Sequence, residues 1–404
     1  MYAVFGYYTG LMSVRGIILL WILGAILPSP SRADLSQPQR GVWFWRTDPV
    51  YGADAVLNDP AKQADALDFF HDQGITRVYG SYGNRTTTST GAVQIAAWNA
   101  TLHAAGIESQ FLMSENSWIF PTNHPSFLTK ITQRVADFNN ATGRLPEERF
   151  DGLHLDIEPQ AIKDADDGLI NTNGWSDLTP TQKRDYLLLL RDTYEVVRNH
   201  VDTELTPGFP VYADLPVWFD NFPGGSIGWT STEDRDQWFN DVGTHLTGIT
   251  LMPFERLTFS SIDNGVDWER NNIPGASVRV ALEADDGFWP TEGHFFMVRD
   301  QIEAAYGDAQ ATDFQSYELY REMMADLSAE PVVADIALPP GSPSVHISVE
   351  AAPAFIHILE ISADMCRWRT AETFETPSPR EHIFQGDLQA SQGFWRVTRY
   401  PLPP

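Results

Sequence analysis

The chain has 404 residues, enough for one large domain and a small one. It is 43% hydrophobic and 12% aromatic, which supports a sizeable core. A formal charge of −27, from 27 basic and 54 acidic residues, argues against nucleic acid and anionic membrane as partners, since both call for a basic surface.

Residues 1–33 read as an export signal. Arg15 precedes a short apolar run, Gly16 to Leu27, and Pro28, Pro30 and a cleavage-like Ser31-Arg32-Ala33 follow. The run falls short of the roughly 20 residues a membrane span needs. Met12 stands as an alternative start, and a retained anchor helix is the alternative to cleavage. Cys366 is the one cysteine, so no internal disulfide forms and no lipoprotein anchor is expected near the cleavage point. This fits a bacterial exported protein, secreted or periplasmic, with no membrane attachment after cleavage. Asn84, Asn99 and Asn140 begin N-x-Thr triplets, which in a bacterium are chance.

From 38 to 328 short β-rich runs alternate with amphipathic helical segments. The strands are expected at Gly41–Arg46, Ile75–Tyr79, Ile107–Met113, Gly152–Ile157, Val211–Leu215, Gly248–Phe254, Val278–Leu282 and Phe314–Tyr317. The helices are expected at Asp59–Gln73, Ala92–Ala105, Ser126–Asn139, Thr181–His200, Arg235–Val242, Thr291–Tyr306 and Tyr317–Leu327. Gly74 and Gly106 close two of them just before a strand, as helix C-cap glycines do. Eight strand–helix units predict an α/β fold, a (β/α)8 TIM barrel. A doubly wound open sheet is the alternative, but no glycine-rich phosphate loop follows the first strand.

Prolines then mark a linker over 329–343, and residues 344–404 alternate as short strands, which predicts a small C-terminal β-sandwich. Its closing strand, Phe394-Trp395-Arg396-Val397, resembles the β-domains appended to secreted bacterial proteins. The sandwich is read as a stabilising or spacing module, with glycan binding as the alternative.

The most informative stretch is Phe150-Asp151-Gly152-Leu153-His154-Leu155-Asp156-Ile157-Glu158-Pro159. Alternate residues of a strand share a face, so His154, Asp156 and Glu158 point one way and Leu153, Leu155 and Ile157 the other. A barrel strand carrying carboxylates at its C-terminal end has this pattern, and Glu158 comes last, before a proline. Such a carboxyl, with a second two residues earlier, suits a general acid of tuned pKa.

The other strands end in further acids and aromatics: Trp45, Tyr79, Trp118 beyond the third, Tyr212, Asp214 and Trp218, Glu255, Glu283, and Tyr317. A rim of carboxylates and aromatic faces looks like a sugar site. No H-x-H or H-x-x-E-H spacing occurs, so neither metal nor cofactor is expected, although so many oxygens keep metal catalysis as an alternative.

Asp151-Gly152-Leu153-His154-Leu155-Asp156-Ile157-Glu158 resembles the D-G-x-D-x-D-x-E signature of family-18 glycoside hydrolases, the chitinase-like group. Met252-Pro253-Phe254-Glu255 looks like that group's M-x-Y-D. The resemblance covers the barrel. It implies that Glu158 protonates a glycosidic oxygen and that Asp156 assists by orienting a substrate N-acetyl group. His154 stands where the family has aspartate, Phe254 where it has tyrosine, Glu255 where it has aspartate, and Tyr317 would serve where it has a tryptophan floor. Ile157-Glu158-Pro159 also looks like the acid/base segment of clan-A retaining glycosidases, which implies Glu283 as nucleophile. Asp214 is read either as a buried hydrogen-bonded acid or as assisting catalysis. The expected function is an exported glycoside hydrolase acting on a carbohydrate substrate. A non-catalytic glycan-binding barrel is the alternative, and the oligomeric state stays open.

Overall fold

The computed structural model describes residues 39–401 apart from 163–174, 222–223, 286, 307–311, 327–329, 332–333, 338–343, 352–354, 363–368, 377, 379 and 388–393. The expected export signal and Cys366 lie outside the described residues. Two compact units result, one bounded by Ser36 and Asp326 and a second from Leu327 onward.

In the first unit eight parallel strands close a barrel in chain order: β1 (Arg40–Phe44), β2 (Ile75–Gly80), β3 (Glu108–Ser114), β4 (Gly152–Asp156), β5 (Val211–Pro216), β6 (Gly248–Met252), β7 (Ser277–Leu282) and β8 (Thr312–Phe314). The ring closes where Gly41 and Val42 of β1 pair with Asp313 and Phe314 of β8. Around it run α1 (Ala53–Leu57), α2 (Pro60–Asp72), α3 (Ser89–Ala104), α4 (His124–Ile131), α5 (Asp137–Asn139), α6 (Pro180–Glu204), α7 (Thr232–His245), α8 (Phe259–Asn272), α9 (Glu292–Tyr306) and α10 (Tyr317–Asp326). This is a (β/α)8 barrel; seven strands fall within two residues of the expected places, and the eighth shares only Phe314 with the expected Phe314–Tyr317. The helices α1 and α8 were not expected, and the eighth strand ends before Tyr317, which belongs to α10 alone.

Local chemistry sets the helix ends. The Asp59 carboxylate accepts the backbone N–H of Ala61 and Lys62 ahead of Pro60. Thr179 and Gln182 form a capping box at the start of α6. Gly74 and Gly106 take φ of 64° and 74°, the left-handed conformation that ends α2 and α3.

Side chains stack inside the barrel in tiers. Arg77, Glu108, Gln110 and Tyr212 lie at its N-terminal end, joined by an Arg77–Glu108 ion pair of 2.8 Å. Above them Trp43, Tyr79, Leu112, Met252 and Ala281 form a buried apolar cluster. Beside it Arg279 holds Asp313 with N–H···O distances of 2.5 to 3.0 Å, and Asp313 also accepts the Tyr79 hydroxyl at 2.9 Å. Gly41 makes room for this group, because a Cβ there would collide with the Asp313 carboxylate and the Tyr79 hydroxyl.

The second unit holds two small antiparallel sheets. One has the order β10 (Ala334–Ala337), β11 (Ser344–Ala351), β14 (Arg380–Asp387), and the other β13 (Arg369–Glu375), β12 (Phe355–Ser362), β15 (Phe394–Pro401), β9 (Glu330–Pro331). Ile347, Val349 and Phe384 from the first sheet share an apolar cluster with Leu359, Phe374 and Val397 from the second. Part of the expected linker, 329–343, is therefore strand: β9 and β10 pair along β15 and β11. Pro331 is accommodated because β9 is an edge, where a missing N–H leaves no gap in a ladder.

Candidate active site

Function in such barrels collects at the C-terminal strand ends. On β4 the apolar Leu153 and Leu155 are fully buried, while His154 and Asp156 enter the barrel interior. Glu158 follows at the open end, half-buried. Its backbone N–H donates to Asn116 Oδ1 at 2.9 Å, and the Gln160 amide donates to its Oε1 at 2.9 Å. Both partners fix the residue without neutralising it.

Burial and neighbouring acids outweigh the groups that would lower these carboxyls. Burial pushes Asp156 well above the usual carboxylate range, and the neighbouring charges of Asp214 and Glu158 add to the effect. Burial also raises Glu158, with Glu255 adding to it. Asp156 is 8% exposed, and its Oδ1 has no hydrogen-bond partner. A carboxylate pair of this kind, buried and short of cations, retains a proton at pH values where ordinary carboxylates have lost theirs.

Beneath Asp156, Asp214 is fully buried and held on both oxygens. Its Oδ1 lies 2.7 Å from His154 Nε2, and its Oδ2 accepts the Trp43 indole N–H at 3.2 Å. Trp43 was not among the expected site residues. Its β1 position, two before Trp45, carries the signal: an inward-facing indole in a barrel lumen has to find an acceptor.

Trp45 and Phe254 pack, half-buried, on the cluster that contains Trp43 and Met252, and the Trp45 indole donates to the Gln315 carbonyl at 2.8 Å. An apolar floor with aromatic edges therefore lies at the strand ends that carry the acids. Glu255 is exposed, while Glu283 is half-buried and raised by burial and then by Asp285. Trp218 is half-buried, 5.7 Å from Trp175.

Four expected contact residues fall elsewhere. Tyr317 is fully buried in the helical layer among Phe44, Tyr51, Phe69 and Phe70. It opens α10 instead of ending β8, so its ring turns away from the lumen. Trp118 is 4% exposed and stacks on Phe127 at 3.9 Å, with Lys130 over its face. A short 3-10 turn folds it back onto α4. Tyr212 lies at the opposite end of the barrel, its hydroxyl 3.4 Å from Glu108 and its ring facing the Arg77 guanidinium. It is the second residue of β5, and Asp214 comes two residues later, a full tier higher. Tyr79 is committed to Asp313 inside the barrel. Sequence reasoning missed Asn116 and Gln160. Ser114, the last residue of β3, is level with Asp156 in register.

Among the described residues no group of three or more His, Cys, Asp or Glu is arranged to hold a metal ion, and no helix is long and apolar enough to cross a membrane.

No protein-family model matches the chain, and no curated protein matches it. Solved structures similar to it include a chitinase from Chromobacterium violaceum, 10% identical over 78% of this chain and 83% of that one, with a TM-score of 0.37. A trimodular GH5_4 endoglucanase is 11% identical, covering 91% of this chain and 78% of its own, with a TM-score of 0.44. A monomeric dihydrodipicolinate synthase variant is 12% identical, covering 72% and 79%, with a TM-score of 0.35. Likeness at this level picks out no reaction. The barrel assignment stands on the strand ladder itself.

Proposed function

We propose that the barrel is a glycoside hydrolase in which Glu158 is the proton donor and Asp156 assists it. One observation carries the reading: two consecutive inward acids at the open end of β4, both raised by burial, beside an aromatic floor. A proton retained on Glu158 above the usual carboxylate range is what cleavage of a glycosidic bond asks for, because the leaving oxygen must be protonated as the bond breaks. Asp156, whose Oδ1 is unpartnered, faces the developing positive charge of the sugar and stabilises it directly or through a substrate N-acetyl group. Trp45 takes the part first expected of Tyr317, offering an indole at the floor of the cleft, with Phe254 packed on the same cluster.

The pair on β4 is preferred over Glu158 with Glu283. The charge of Glu158 bears on Asp156 and Asp214, and Glu255 bears on Glu158, whereas the acid bearing on Glu283 is Asp285. We read the second unit as a β-sandwich, from the apolar cluster shared by its two sheets, and the chain as exported, from Arg15 and the apolar run after it.

The test is hydrolysis of a panel of oligo- and polysaccharides by wild type and Glu158→Gln side by side. Glu158-dependent cleavage of any member supports the reading, and preference for N-acetylated sugars assigns Asp156 to assistance through the acetamido group. Binding without cleavage by either protein would replace it with a glycan-binding barrel.

A further inference from the structure

A hydrogen-bonded row crosses the barrel below the proposed acid. Arg77 pairs with Glu108, and the Gln110 amide nitrogen donates to Glu108 Oε1 at 2.7 Å. That fixes the orientation of the amide and presents Gln110 Oε1 to His154 Nδ1 at 2.9 Å. Two acceptors do not face each other, so His154 Nδ1 carries a hydrogen. On its other side Nε2 lies 2.7 Å from Asp214 Oδ1, while Asp214 Oδ2 is occupied by the Trp43 N–H. One proton therefore lies on the line between Nε2 and Oδ1. Burial holds the His154 imidazole down, to about 3, and Asp214 well above the usual carboxylate range. Both directions put that proton on Asp214, donated to a neutral ring.

Without His154 the nearest use for the Asp214 proton would be Asp156. A buried carboxylic acid and carboxylate close together share a proton and hold each other, as paired catalytic aspartates do. Here Asp156 is not held in that way: its buried Oδ1 is unpartnered. We infer that His154 is a positioning residue for Asp156: by accepting the Asp214 proton it keeps those two carboxyls apart and leaves Asp156 an oxygen free for the substrate beside Glu158. The inference rests on the glycosidase reading above. The other titratable groups near the ring are Arg77, Tyr79, Glu108, Asp156, Tyr212 and Asp313, and Tyr194 of α6 lies near both aspartates.

Two measurements on the full chain test it. The first needs no activity: nitrogen-15 NMR of the histidine ring in the wild type. The expected result is a neutral His154 with hydrogen on Nδ1, unchanged from pH 5 to 8. A bare Nδ1, or a ring that takes up a proton in that range, overturns the inference. The second is kinetic. His154→Leu should lower kcat between about 10- and 100-fold with KM little changed, the scale of a misplaced catalytic group. His154→Gln, whose side-chain oxygen can accept from Asp214, should stay near wild type. In an Asp214→Leu background, where no proton remains to redirect, adding His154→Leu should change kcat little further. Equal losses for the Leu and Gln variants, or the same loss in both backgrounds, would make His154 a packing residue only. Absence of Glu158-dependent turnover in the wild type sinks the glycosidase reading and the positioning role with it, while the ring measurement still stands alone as a test of the hydrogen bonds.

Discussion

Arg279 clasps Asp313 in the centre of the barrel, with the Arg279 side chain 4% exposed and that of Asp313 fully buried. That pairing takes Arg279 away from Glu283, the acid to which it is closer in sequence. Glu283 is thereby left to be raised by burial and by Asp285, and the carboxylates at the open end have no guanidinium among the charges that shift them most. Arg279 and Arg77, the guanidiniums described in the lumen, are both held by acids of the scaffold, Asp313 and Glu108.

Breaking that pair should be costly. Asp313→Asn leaves a buried guanidinium without its counter-charge, and loss of one partner from a buried pair typically costs about 3–5 kcal/mol. Chemical denaturation of the variant against wild type measures this. A difference below about 1 kcal/mol would mean that water reaches the pair and relaxes the charge.

The aromatic residues should separate into two groups. Trp45→Ala should weaken binding of the cleaved sugar by about tenfold, near 1.4 kcal/mol, with little loss of stability. Trp118→Ala, which removes a ring stacked on Phe127, should instead lower stability by about 3–5 kcal/mol and leave the affinity of the folded protein unchanged. Titration calorimetry and thermal unfolding on both variants distinguish the groups, and the opposite pattern would place the cleft elsewhere.

This division shows what the sequence carried. The alternation in Gly152–Glu158 and seven of the eight strand positions were legible because period two and the helix caps are local properties. Tyr317, Trp118 and Tyr212 were not, because each turns on where a strand ends. A shift of one or two residues moves a side chain from the mouth to the helical layer or to the far end of the barrel. The helix α8 escaped for a related reason. Gly265 and polar residues interrupt its apolar pattern, yet Gly265 is there to admit the Arg256 guanidinium, into which a Cβ would run. The His154–Asp214 contact joins residues 60 apart in sequence, and no local pattern announces it.

A second buried acid gives a prediction about pH. Glu269 of α8 is fully buried, its oxygens reach no partner on another residue, and burial, with Asp220 next, pushes it to about 9. Because the folded value lies above the unfolded one near 4.5, this residue favours folding in its acid form, and the benefit is lost as pH rises from about 4.5 to about 9. Glu269→Gln removes the dependence. Relative to wild type its stability should rise between pH 5 and 7.5 by up to about 3 kcal/mol, at 1.36 kcal/mol for each unit. Denaturation at both pH values measures the change. A gap between the proteins that does not move with pH contradicts the burial of a neutral Glu269.

Activity should also follow pH in a definite direction. Asp156 and Glu158 are both raised and act on each other, so they titrate as a pair. The productive form holds one proton. Gain of a second proton at low pH leaves no carboxylate to assist, and loss of the remaining one as pH rises above the usual carboxylate range leaves no acid. The kcat/KM profile should be bell-shaped, and Asp156→Asn should flatten its acidic limb. An acidic limb unchanged in that variant assigns it to another group.

The role of Glu158 is tested most directly by varying how much help the leaving group needs. Wild type and Glu158→Gln are compared on the preferred sugar attached to a strongly acidic phenol, which departs without a proton, and to an ordinary sugar alcohol, which does not. Removal of a general acid is expected to cost about 10²–10⁴-fold on the unactivated bond and far less on the phenol. Losses of equal size on the two substrates, or no loss on either, would contradict Glu158 as the proton donor.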